Sequence, residues 1–589
     1  MKKNILKYIL GLMVVASLSS CEDHLTQVNP NEITTGSFWK TLNDHEMGLV
    51  SVYSQFSNGS IINMGAETNR SDMSWPGWGR PNSSNEAYLQ TFNSGYNDLN
   101  NKWDALYKGI FRANQVIKGL EGIEAEMITE EEKEQWSYIM GQARFFRGLF
   151  HFYLHNSFNK GSVIIYDFVP ETEEDFYQSL STPEQVKEFY LADLTAALEL
   201  LPATLQEYGE NGNTALDNFK GRVLKGTAAT VIGKSYLYEG NYDVAKEYFA
   251  AVINSGIYQL ADISENGTTN GEFNSESILE VGYDANYKPE EDQYSPFGTT
   301  NNTANMLSST STGGYRGIYP SCWLIMAYKN DSIDINDPRN VISEEAGVKV
   351  YRKYSLRTSH SIALADDEDM PHYQKRAALA SPFNNSETSY WKKNTNWDIT
   401  TSEKDLNPPA RSGVNYRVIR LADVYLMYAE CVIKGGTDDS GVDEALMYIN
   451  RVRQRAALQL IGTSSSEFGA ADVDGVTYNA ASVMDHLMYV ERPLELSAEG
   501  HAIRHLDLRR WGIKKQRFEE LSQMVWNKVN YVTVDDKGKA KTVWGGLLLD
   551  GPGAAELRDY QQAAVNYVED VHAYWPIPNS ETTANPNVN

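Results

Sequence analysis

The chain reads as mostly α: paired helices form a scaffold that carries long loop-rich insertions and a few short strands. Three observations predict this. Apolar residues recur at helical spacing over several long stretches. One helix–turn–helix motif returns, more weakly, far downstream. Between these zones lie polar tracts rich in Gly, Ser, Thr and Asn, with only short apolar runs.

The N terminus is not part of the scaffold. Met1 to Lys7 holds three lysines and no acid, and Ile5 to Leu18 is almost wholly apolar but short for a bilayer span. With the small residues Ser19 and Ser20 this is a secretory signal peptide, residues 1–20. Cys21 directly after it resembles the lipobox of bacterial lipoproteins, where cleavage precedes the cysteine and lipid is attached to it. Acyl chains at ~0.8 kcal/mol per buried methylene make a lasting anchor once more than one is present. The alternative is an ordinary secreted protein with an incidental cysteine. Loss of Lys2, Lys3 and Lys7 with the leader takes the formal charge from −26 to −29. So acidic a body repels nucleic acid and anionic headgroups, so neither is an expected partner. Of the other cysteines, Cys431 sits in an apolar helical run and reads as a buried thiol. Neither a disulfide framework nor a cysteine metal site is expected.

Residues 21–589 are expected to form one domain, with the helical scaffold at about 40–260 and 416–515. Leu99 to Leu120 and Glu130 to His155 each show an amphipathic stripe. Thr182 to Leu201 opens on Thr182-Pro183-Glu184-Gln185, an N-cap, a proline at the first helical position and a glutamine two further on. Arg222 to Ile257 is a helix pair with small residues Gly226, Ala229 and Gly233 along one side. Its turn, Gly240-Asn241-Tyr242 followed by Ala245 and Phe249, resembles the tetratricopeptide repeat. Asp423 to Ala456 is the weaker echo. The two pairs lie far apart, so no uninterrupted solenoid is expected. The insertions are Asn58 to Asn97, a mid-chain stretch at about 261–415, and Arg517 to Asp570 with a hairpin around Asp536-Lys537-Gly538. Asp331, Asp334, Asn336 and Asp337 form an acidic cluster without the Gly and spacing of a calcium loop, and read as a solvated turn. No metal or cofactor is expected.

Several of these segments together resemble one family. Trp103-Asp104-Ala105-Leu106-Tyr107, Gly141-Gln142-Ala143-Arg144-Phe145-Phe146-Arg147 and Arg420-Leu421-Ala422-Asp423-Val424 occur in order. Asn450-Arg451-Val452-Arg453, Glu491-Arg492 and Asp507-Leu508-Arg509-Arg510-Trp511 follow. The series is similar to the SusD/RagB-type nutrient-binding lipoproteins of Bacteroidetes outer membranes, over nearly the whole chain. Arg504 departs from the pattern, standing four residues after Gly500 where two is usual; Pro493 is a second departure. Arg420, Asp423, Arg451, Arg453, Asp507 and Arg509 are charges among apolar helix positions, and we read them as salt-bridge clasps.

The resemblance implies a glycan ligand, a SusC-like TonB-dependent transporter as partner and attachment to the outer membrane, facing outward. It also implies contact with the transporter near Glu32, Phe38 and Trp39. A sugar site needs an aromatic platform with fixed polar groups, preferably in long loops. Asp72, Trp75, Trp78 and Arg80, with Tyr96 downstream, supply both. Tyr294, Tyr315, Tyr319 and Trp323 form a second patch, and Trp391 and Trp397 a third possibility. No nucleophile elbow, zinc-protease helix or phosphate loop occurs, so an enzyme is not expected. A peptide ligand is the alternative reading, and a glycoside hydrolase, which needs only two suitably spaced carboxylates, a less favoured one.

Overall fold

The computed structural model describes residues 38–77, 84–208, 220–286, 301–383, 387–407, 409 and 411–588. Its longer helices are α1 (Leu42–Phe56), α2 (Asn97–Ile123), α3 (Glu130–Ser157), α4 (Pro183–Leu200), α5 (Lys225–Tyr238) and α6 (Tyr242–Asn254). They continue with α7 (Cys322–Lys329), α8 (Leu421–Val432), α9 (Val442–Arg455), α10 (Ile503–Arg510) and α11 (Lys514–Gln523). The expected caps are present. The Thr182 side chain accepts from the Gln185 amide while Gln185 reaches back to the Thr182 amide, and Thr129 and Glu132 do the same for α3.

These helices pack in series: α2 on α3, α3 on α4, α4 on α5, α5 on α6, α6 on α8 and α8 on α9. Small residues permit the close approaches. A Cβ on Gly109 would stand 2.4 Å from the Phe150 ring, and one on Gly233 2.6 Å from Phe249. The two repeat-like pairs, remote in sequence, thus adjoin in space, and the array runs on across the insertion between them. One apolar cluster extends from Leu49 to Trp575 and joins both halves of the scaffold to the insertions. No described helix is long and apolar enough to cross a membrane.

The strands are short. β1 (Ser74–Pro76), β2 (Ser277–Val281) and β3 (Ile318–Pro320) are followed by the exposed hairpin β4 (Val341–Glu345) and β5 (Val348–Tyr351). Then come β6 (Ile362–Ala363), β7 (Tyr390–Trp391) and β8 (Tyr416–Arg420), and late in the chain β9 (Trp526–Val534), β10 (Ala540–Asp550) and β11 (Glu556–Leu557). β1 pairs antiparallel with β3, β2 with β8 and β6 with β7; β9 pairs with both β10 and β11. The expected hairpin around Gly538 is the β9–β10 pair, with Tyr531 opposite Val543.

Three expectations need correction. The described residues between Asn58 and Asn97 form no open loop: they fold into short helices at Gly59–Ile62, Met64–Asn69 and Glu86–Leu89, with many of them buried. The acidic cluster is a solvated turn only at Asn336 and Asp337. Asp331 is buried on Arg357 at 2.9 Å, and Asp334, also buried, accepts the amides of Asn336 and Asp472. The clasps hold for four of the six motif charges. Arg420 binds Glu276, Glu495 and Glu499; Asp423 binds Lys234 and Arg492; Arg453 binds Glu491; Asp507 binds Arg492 and Arg510. Arg451 instead lies over the Tyr448 ring at 4.8 Å, and Arg509 over Tyr574 at 3.9 Å.

Candidate functional site

The two aromatic patches meet. β1 and β3 form a ribbon in which Trp75 stands directly opposite Tyr319. Just past it, the Gly77 amide donates to the Gly317 carbonyl at 2.6 Å. Only glycine fits at position 77, because a Cβ would lie 1.9 Å from the Arg316 carbonyl oxygen.

The ribbon itself offers little to a solute. Asp72 is 0% exposed, Trp75 1%, Tyr319 1% and Trp323 6%. The Asp72 carboxylate is held by Arg504 (2.7 and 2.8 Å) and Arg517 (3.0 Å). Burial would raise its pKa, but the two guanidinium groups hold it below the usual carboxylate range. Its carbonyl accepts from the Trp323 indole N–H and from Ser321 Oγ, while the Arg517 guanidinium covers the Trp323 ring at 4.4 Å. The Tyr560 hydroxyl donates to the Ser74 carbonyl. These four residues, expected as ligand contacts, lock the two segments together. Arg504, the departure from the family spacing, is what places a cation on Asp72. Trp391 and Trp397 are likewise buried.

Beside the ribbon opens a cleft of about 390 Å³, and two expected residues, Tyr96 and Tyr315, line it. One wall comes from residues 57–69. Asn63, in the left-handed region at φ 48°, ends one short helix and begins the next, and its side-chain Nδ2 donates to the Asp98 carbonyl at 3.2 Å. Tyr96 precedes α2, donates to Asp98 Oδ2 at 2.7 Å and stacks on Trp575 with centroids 5.7 Å apart. Burial, and then the Asp98 charge, push its phenol pKa well up, so it stays a neutral hydrogen-bonding group.

The rest of the lining comes from Asn302, Thr303, Met306, Tyr315, Gly317 and Ile318, with Tyr283 and Tyr416. The Tyr315 amide donates to the Asn305 carbonyl at 2.9 Å, which holds the turn leading into β3. The Tyr283 hydroxyl donates to the carbonyl of Ser57, another lining residue, at 3.3 Å, and the Tyr416 hydroxyl to the Gly500 carbonyl at 3.0 Å. The lining therefore combines tyrosine rings, asparagine amides and serine and threonine hydroxyls with the aliphatic Ile62, Met64, Met306 and Ile318, and Asp98 is the one carboxylate among the described lining residues.

Asn63, Asn69, Asn85, Asn302, Tyr283 and Tyr416 escaped the sequence reading. Asn preceding a short apolar run, at 58 and 63, was the available signal for a capped helix. Trp78, Arg80, Tyr294, Cys21 and Glu32 lie outside the described residues. Phe38 meets Trp39 edge-on at 4.8 Å, and the Trp39 ring packs against Gly48 and Gly119.

Residues 275–589 match the model of the SusD family, and residues 24–241 match one described as starch-binding, associating with outer membrane. SusD-like protein P25 of Formosa agariphila is 23% identical over 544 residues, covering 89% of this chain and 92% of its own. A SusD superfamily protein from Bacteroides vulgatus superposes with a TM-score of 0.69 at 21% identity, over 94% of this chain and 99% of its own. A laminarin-binding SusD-like protein gives 0.61 at 20% identity, over 93% and 99%. At such identities the superpositions establish the fold. The family model spans more than half of the sequence, and this chain belongs to the SusD family.

Proposed function

We propose that the protein is a surface glycan-binding lipoprotein. It captures an oligosaccharide or polysaccharide in the cleft lined by residues from 57–69, 85–98 and 302–318 and hands it to a TonB-dependent outer-membrane transporter. The observation that carries this reading is the lining: tyrosine rings for the C–H faces of sugars, with amide and hydroxyl groups for their hydroxyls. The family model described as starch-binding, associating with outer membrane, and the laminarin-binding SusD-like structure support it. Tethering through lipid on Cys21 would keep the cleft at the membrane surface. Capture without hydrolysis is part of this proposal, and a glycoside hydrolase, which needs two suitably placed carboxylates, stays the less favoured alternative.

Calorimetric titration of the mature protein with a polysaccharide panel tests this, with Tyr315→Ala run alongside. We expect saturable binding that weakens in the variant, with no new reducing ends. Binding of peptides in place of glycans would replace the reading with the peptide alternative.

A further inference from the structure

We infer that the cleft selects uncharged sugar residues and rejects uronic acids and sulfated sugars; this rests on the glycan reading above. Among the described lining residues there is no Lys, Arg or His. Arg316, between Tyr315 and Gly317 in sequence, is engaged: its guanidinium donates to Glu387 at 2.8 Å. Arg417, next to the lining residue Tyr416, is buried and donates to the Asn415 and Thr268 carbonyls, and three acidic residues line or adjoin the cleft. Asp98 lines it, Glu86 follows the lining residue Asn85, and Asp284 follows Tyr283.

An acidic sugar needs a cation, because a carboxylate or sulfate that leaves water for a site of amides and phenols loses its hydration without an ion pair in return. Hydroxyl groups lose much less, and Asn and Tyr side chains replace their water one bond at a time. The long-range field acts in the same direction: at a formal −26 the whole chain slows the approach of a polyanion.

The test is titration of the mature protein with laminarin, soluble starch, polygalacturonate and carrageenan at low and high salt, together with Tyr315→Ala and Asn302→Lys. Laminarin or starch should bind with an affinity that changes less than about twofold with salt, and the two polyanions should not saturate. Asn302→Lys, confirmed as folded by its thermal melt, should gain polyanion binding that fades as salt rises. Polygalacturonate or carrageenan bound by the wild type as tightly as either neutral glucan would overturn the inference and leave the cleft as a glycan site. A folded lysine variant without that gain would overturn it too, since charge would not be what excludes polyanions. Loss of all glycan binding, or binding indifferent to Tyr315→Ala, would sink the cleft reading itself.

Discussion

The β1–β3 ribbon and the cleft beside it are built by the same two stretches of chain, yet they use their aromatic residues in opposite ways. In the ribbon, Trp75, Tyr319 and Trp323 are buried and the charge of Asp72 is cancelled by two arginines. In the cleft, Tyr96 and Tyr315 keep part of their surface open, beside amides that carry no charge. Aromatic density marks where segments are clamped as readily as where they bind. Local sequence does not separate the two, because an indole gains about as much from packing against arginine and tyrosine as from a ligand face.

The largest effect should come from breaking the clamp. Asp72→Ala leaves Arg504 buried without its counter-charge and Arg517 with Glu520 alone at 3.6 Å, and should cost about 3–5 kcal/mol, read as a shift in the urea midpoint. If that variant kept wild-type stability and lost only glycan binding, Asp72 would belong to the cleft and the comparison would fail. Trp75→Ala should cost about 3–5 kcal/mol by cavity formation, again a stability effect first.

A third test exploits pH. Asp559 accepts the Cys322 amide at 2.8 Å behind the ribbon, and burial pushes its pKa up to about 7. A carboxyl raised on folding holds its proton longer in the folded than in the unfolded chain. The ribbon side therefore loses stability as pH rises from the ordinary aspartate value toward 7. Asp559→Asn should be more stable than wild type by on the order of 2–4 kcal/mol at pH 8, with the gap closing near pH 4. Differential melts at the two pH values read this directly, and an unchanged gap would remove Asp559 from the account. The smallest effect belongs to the cleft. Tyr315→Ala should leave the melting transition nearly in place and weaken glycan binding about tenfold. A stability loss as large as that of Trp75→Ala would mean that Tyr315 is a clamp as well.

Much of the scaffold was legible. The stripe from Leu99 to Leu120, the Thr182 cap and the Gly240 turn report interactions made within a few residues, so their spacing carries the information. The stretch between α1 and α2 was not. Its helices of four to six residues are shorter than two periods, and burial against α2 and the C-terminal segment stabilises them. Of the residues lining the candidate cleft, Tyr96 and Tyr315 stood among the expected contacts because they are aromatic residues in or beside long loops. Tyr283 and Asn302 were missed because nothing in their neighbours distinguishes them. Arg451 and Arg509 looked like ion-pair partners and turned out to face rings, since a charge pattern on one helix says nothing of what the next helix presents.

The amino-acid sequence by itself determined the helix pairs, their caps and the membership in this family, because these rest on local periodicity and on motifs ordered along the chain. Only the tertiary structure decided that α6 packs on α8 across residues 255–420, that Asp72 meets arginines more than four hundred residues away, and which tyrosines border open space. The physical reason is that burial and charge pairing depend on which segments come together, and residues so distant in sequence leave no spacing from which to read it.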